Sequence, residues 1–283
     1  MTERTIIPWE QVTIANKFMF YKVMTSNTDL CRRFIEHLLH VQIDRIEPPS
    51  GEHTMESATD AHGIRLDVYA KGGGRVFDLE MQIADSGNLP ERTRYYQGVM
   101  DETELGHGEA YETLRDSYIM FICLFDPFGA GLPVYTFRSR CDEKNDLLLG
   151  DRTWKVFYNV KGWERVLDAE ERAIFRFILD GTARSDFTKD LGEQVRAARK
   201  SPQARERYMT LERYGIDIRN IALKEGREEG RAQGSHDAML KTARAMIVNG
   251  KLSQEEIADI TGLSLAEVRA LCQPADALQA QKA

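Results

Sequence analysis

The chain has 283 residues, 42% of them hydrophobic, and a formal net charge of −7 at pH 7. That apolar content can fill one core of moderate size with an appendage, which excludes a disordered polymer. The acidic balance argues against a large nonspecific nucleic-acid surface, although a local basic channel is compatible with it. The longest apolar run, "YIMFICLF" at residues 118–125, is too short to span a bilayer, and no charged-then-apolar leader opens the chain, so a cytoplasmic protein without a membrane segment is expected. Cys31, Cys123, Cys141 and Cys272 form no Cys-x-x-Cys pair, so neither a zinc ribbon nor a disulfide framework is indicated.

In chain order, the first predicted helix covers residues 27–40, with Asn27 or Thr28 as its N-cap. A short strand is expected at residues 41–47, ended by Pro48-Pro49. Apolar and polar residues then alternate through Ile64, Leu66, Val68 and Ala70, and again through Phe77, Leu79, Met81 and Ile83, which is the pattern of two strands. The run Lys71-Gly72-Gly73-Gly74 between them reads as a hairpin turn, because glycine tolerates the positive φ that such turns need. With the turn centred on Gly72-Gly73, Asp67 lies opposite Asp78 and diagonal to Glu80, all on one face. One reading of that face is a solvated strand surface. Such surfaces usually mix in Lys, Thr and Ser, however, and this one reads Asp78, Glu80, Gln82. Like charges this close repel unless a proton or a cation separates them, so the cluster is a candidate site for a hard divalent metal.

Beyond the hairpin, "LPERTRYYQGVMDETELGHG" predicts a helix closing at Gly106 or Gly108. Residues 118–125 predict a strand buried on both faces, and "LPVYTFRSR" and "TWKVFYNV" predict two more. The chain turns helical from Glu164. The order of elements indicates an α/β fold with a mixed central sheet flanked by helices, plus an all-α C-terminal extension. Four regions are expected: a core at 1–165, a helical extension at 166–215, a charged linker with Gly226, Gly230 and Gly234 at 216–236, and a three-helix module at 237–275. In that module Ser253-x-x-Glu256 and Ser264-x-x-Glu267 are capping boxes, and Ala258, Gly262 and Val268 fall at helix-turn-helix spacing. Its second helix exposes little that could read bases, so an interaction or homo-oligomer bundle is the better-supported role. His37-x-x-His40 has no third ligand nearby and reads as exposed helix histidines.

The combination Asp67…Glu80-x-Gln82 after a helix bearing Glu36, followed by "RTRYYQ" and "GEAYETLRDSYIMFICLFDPFG", resembles the Rpn family. These are recombination-promoting nucleases grouped with transposases of the PD-(D/E)XK nuclease superfamily. The resemblance covers roughly residues 18–162. It implies a restriction-endonuclease-like core and Mg²⁺-dependent endonucleolytic cleavage of DNA, serving recombination or mobile elements. It further implies that Asp67 and Glu80 each give a carboxylate oxygen to the metal, with the backbone carbonyl of Met81 as a further ligand and Glu36 as a supporting acid. Gln82 stands where the superfamily has lysine and would orient the attacking water. Arg92 would contact a phosphate, and Asp78 is expected to be structural. The competing class is a catalytically inactive protein with the nuclease fold, which binds DNA or regulates through its C-terminal helices.

Overall fold

The structure is a computed structural model describing residues 6–49, 53–55, 64–106 and 108–272, with the side chains of 53–55, 64–66, 217–225, 229 and 232 outside that description. The expected inward faces of Ile64 and Leu66, and residues 273–275 of the C-terminal module, fall outside it. The described chain divides into two compact units, one running up to Thr210 and one starting at Leu211.

In the first unit a short 3-10 turn, Trp9–Gln11, precedes α1 (Lys17–Ser26) and α2 (Thr28–Leu39). Both helices start on an asparagine: Asn16 accepts from the N–H groups of Phe18 and Met19, and Asn27 from that of Leu30. No helix was expected before residue 27. The buried residues of α1 include the consecutive run Phe18, Met19, Phe20, which blurs the helical stripe that periodicity looks for.

Two short strands, β1 (His53–Met55) and β2 (Ile64–Leu66), pair with each other. The main sheet holds β3 (Val68–Gly72), β4 (Arg75–Gln82), β5 (Asp116–Cys123), β6 (Val134–Phe137) and β7 (Thr153–Asn159), in the order β3-β4-β5-β7-β6. Neighbours β4, β5 and β7 are parallel, while β3 and β6 are antiparallel edges. The expected strand at 41–47 is not one. Those residues make a single bridge, Ile46 to Gly72, because Pro48 and Pro49 lack the N–H groups a ladder needs.

That bridge also moves the hairpin turn. Gly72 pairs with Arg75, so the turn residues are Gly73 (φ 58°) and Gly74 (φ 73°), both left-handed as a two-residue hairpin turn requires. The ladder runs Tyr69 to Asp78 and Val68 to Leu79, which carries Asp67 opposite Glu80 rather than Asp78. The shift is by two residues, so the shared face survives. Gly72 is needed for the contact itself: a Cβ there would collide with the Arg45 carbonyl and lie 2.7 Å from Ile46 Cγ2.

Helix α3 (Leu89–Glu104) covers one side of the sheet. Leu89, Tyr96, Val99 and Met100 pack on Val76, Ile119, Phe121 and Phe157. The opposite face of β4, which carries Phe77, Leu79 and Met81, is covered by α1. Helices α4 (Ala169–Asp180) and α5 (Asp186–Arg199) complete that layer: the Tyr158 hydroxyl donates to the Leu38 carbonyl at 2.9 Å, and its ring meets Phe175 edge-on. Helix α6 (Pro202–Asn249) begins within this unit, where Tyr208 packs against Trp9 and Phe18. The segment 166–210 therefore shares the core's packing.

In the second unit, Ala243, Ile257, Leu263 and Val268 form a small core between the end of α6, α7 (Gln254–Thr261) and α8 (Leu265–Leu271). Both serine–glutamate capping boxes close, and Gly262 takes the left-handed cap at φ 72°.

Candidate active site

Strand β4 is buried along nearly its whole length, and the side under α3 carries Asp78, Glu80 and Gln82. Asp67 sits at the bend between β2 and β3, where the chain leaves one sheet for the other. The Asp67 N–H donates to Glu80 Oε1 at 3.0 Å, and Asp67 Oδ2 accepts from the Met81 N–H at 3.1 Å. Glu80 is thus tied to the backbone of that bend, and Asp67 to the backbone of β4. The two carboxylates are held together as expected, with Asp67 15% and Glu80 1% exposed.

Around this pair the polar contacts are unevenly shared. Glu80 Oε2 accepts from Arg92 Nη2 at 2.9 Å and from Gln82 Nε2 at 3.3 Å. Arg92 also donates to the Tyr96 hydroxyl, from Nη2 at 2.8 Å and from Nε at 3.1 Å, and lies over the Tyr96 and Phe121 rings. On the other side Lys17 Nζ lies 3.7 Å from Asp67 Oδ2. Burial raises the Asp67 pKa above the usual carboxylate range, opposed mainly by Lys17. Burial, reinforced by the Asp67 charge, pushes Glu80 up to about 8. Asp78 is fully buried with both oxygens unpartnered, and burial next to Glu80 and Asp67 holds its pKa well above normal.

Expected site residues go to different places. Asp67, Glu80, Gln82 and Arg92 converge, and the Met81 backbone joins them through its N–H. Glu36 does not: its Oε1 accepts from the Ile43 N–H at 2.7 Å and its Oε2 from Arg32 at 2.7 Å. Ile43 packs at Gly73, so Glu36 belongs to the turn end of the hairpin, roughly 20 Å of strand from Glu80. Tyr96 is core packing, and it also holds Arg92. His40 pairs with Glu171 and His37 packs on Phe187, so they share no ligand. Among the described residues no group of three or more His, Cys, Asp or Glu is placed to hold a metal. Lys17 is the residue that sequence reasoning missed. The available signal was Asn16 as an N-cap, which would have placed a helix there.

The donor set at Asp67 and Glu80 fits a hard divalent cation. Two neighbouring carboxyls whose charged forms are disfavoured by burial, Glu80 further so by the Asp67 charge, are relieved by a cation with oxygen preference, and Mg²⁺ is commonly held by one or two carboxylates plus water. The sheet geometry agrees: Gln82, Cys123 and Asn159 are in register at the carboxyl ends of the parallel strands, where α/β sheets place their ligands.

Comparison with protein-family models matches residues 15–131 to the PD-(D/E)XK nuclease family transposase. Comparison with curated proteins and with solved structures gives no match. The matched stretch runs from the cap of α1 to the loop after β5, holds every side chain gathered at the site, and accords with a restriction-endonuclease-like α/β fold. Residues 15–131, somewhat under half of the chain, are thus similar to the PD-(D/E)XK nuclease family transposase.

Proposed function

We propose that the protein is a divalent-cation-dependent DNA endonuclease of the Rpn type, cutting phosphodiester bonds in recombination or in the movement of mobile elements. The observation that carries this reading is the reciprocal link between Asp67 and Glu80, in which the Glu80 carboxylate accepts from the Asp67 N–H and the Asp67 carboxylate from the Met81 N–H, at the carboxyl end of a parallel sheet. Asp67 and Glu80 would hold the cation, with the Met81 carbonyl available beside them. Such a cation, when bound, polarises a phosphoryl oxygen and makes a water more acidic.

The chain's own residues do the remaining work. Arg92 and Gln82 fix Glu80 Oε2 from two directions and so set the carboxylate's orientation. The Met81 N–H does the same for Asp67. Gln82 donates one amide N–H to Glu80, so it aligns that acid, and orienting a water would fall to its second N–H or its carbonyl oxygen. In the reaction one water adds across a P–O bond. Its oxygen joins phosphorus, the bridging bond breaks, and the leaving oxygen ends with a proton.

One observation favours the inactive, regulatory reading. Both Glu80 oxygens already have protein donors, so its charge is balanced without a metal. Incubating purified protein with supercoiled plasmid in Mg²⁺, Mn²⁺ or EDTA separates the two. Nicking or linearisation that EDTA abolishes supports the nuclease. DNA retardation with no cutting in either metal supports the regulatory reading.

A further inference from the structure

We infer that Lys17, at the start of α1, is a catalytic residue of this site, placing its ammonium on the scissile phosphate and the attacking water. This inference rests on the nuclease reading above. Hydrolysis of a phosphodiester concentrates negative charge on the phosphoryl oxygens and on the incoming oxygen. A site already holding acidic groups needs positive charge at its mouth to tolerate that.

Three carboxyl groups lie together here, and two basic side chains, Lys17 and Arg92, act on all three. They are not equivalent. Arg92 is 22% exposed, pairs with Glu80, bonds the Tyr96 hydroxyl and lies over two aromatic rings, so moving it would break all of these contacts. Lys17 is 45% exposed and touches Asp67 Oδ2 at 3.7 Å, too long for a hydrogen bond. Its flexible stem can therefore swing from Asp67 to a phosphate at little cost.

The fold nevertheless fixes the backbone from which that stem projects. Asn16 caps α1 through the N–H groups of Phe18 and Met19, and Phe18, Met19, Phe20, Val23 and Met24 seat the helix in the core. Helix α1 packs on β3 and β4, the strands flanking the site. Gln82 cannot supply the same charge: it is neutral, 4% exposed and turned to Glu80. The position that could have carried a cation along β4 is thus given over to alignment, and the cation arrives from a separate helix.

The test compares the full-length wild type with Lys17→Ala, Lys17→Met and Lys17→Arg. It uses plasmid cleavage in Mg²⁺, Mn²⁺ titration of the DNA-free protein, and thermal melting. Lys17→Ala and Lys17→Met are expected to lower kcat by about 100-fold, the usual cost of removing one charge-stabilising donor, with KM for DNA within about threefold. Arginine should keep part of the rate, and added methylamine should restore part of it to the alanine variant but not to methionine, whose side chain fills the space. Mn²⁺ affinity should stay level or rise, since a cation competing for Asp67 has gone, and melting should hold because the side chain is half in water. If wild type cuts and Lys17→Ala cuts within threefold of it, the inference fails while the nuclease reading stands. A rate loss matched by an equal loss of Mn²⁺ affinity would likewise overturn it, by making Lys17 a part of the metal site's construction. If wild type cuts in neither metal, the nuclease reading falls and the inference with it.

Discussion

Asp78 and Glu80, with Arg92 reaching them from α3, show what it costs a strand face to bury acids. The Glu80 and Asp78 carboxyls are more readily protonated folded than unfolded, so the folded state binds more protons. Stability from these groups is then full below the unfolded range of about pH 4, and is lost as pH rises through the folded values, reaching about pH 8 for Glu80. The melting midpoint should accordingly fall between about pH 5 and pH 8.5, and Asp78→Asn should flatten that fall while leaving cleavage far less affected than loss of either proposed ligand would. A wild-type midpoint that rises over this window would contradict the buried-acid assignment. Above about pH 8, where Glu80 is ionised, Arg92→Ala leaves that nearly fully buried carboxylate without its cation and should cost about 3–5 kcal/mol in urea unfolding. Adding Glu80→Gln should recover part of the loss, because the orphaned charge is then gone. Much of this face was legible: Asp78, Glu80 and Gln82 alternate with Phe77, Leu79 and Met81, and period-two alternation is a local signal. Lys17 was not legible as a partner of Asp67, since a contact across fifty residues leaves no spacing pattern.

At the scale of elements, the hairpin and α1 show what local reading can reach. The glycine run announced a turn, yet three consecutive glycines do not say which two form it. The choice is made by the bridge from Ile46 to Gly72, a tertiary contact that takes Gly72 into the ladder. Substitutions distinguish the roles. Gly72→Ala must displace the 45–46 backbone and should cost more than about 2 kcal/mol, whereas Gly74→Ala meets no atom within 4 Å and should cost only the strain of a left-handed alanine, about 1 kcal/mol. Equal losses in thermal or urea unfolding would show that the close approach at Gly72 is not needed. The buried strand β5 and the capping boxes of α7 and α8 were readable because an unbroken apolar run and a Ser-x-x-Glu spacing each depend on neighbours in sequence. Helix α1 was missed because its Phe18-Met19-Phe20 run is buried against several elements at once.

For the whole molecule, the division at Thr210 and Leu211 sets what can be removed. A chain ending at Gly234 keeps Ala204 and Tyr208, which pack in the first unit's core, and should be soluble, melt cooperatively and retain any cleavage. A chain ending before Ala204 strips the partner of Trp9 and Phe18 and should express poorly. If both truncations behave alike, α6 contributes nothing to the first unit. With a net charge of −7 the chain as a whole offers no electrostatic attraction to a polyanion, so on the nuclease reading proposed above any DNA contact falls to local groups.

The most direct measurement compares plasmid cleavage by wild type and Asp67→Ala in Mg²⁺, with DNA binding recorded in parallel. The expected result is a fall in rate of at least about 100-fold with binding retained or strengthened, because a charged ligand is lost while local negative charge decreases. An Asp67→Ala protein that cuts as fast as wild type would leave the carboxylates as a structural feature of the hairpin and contradict the nuclease site.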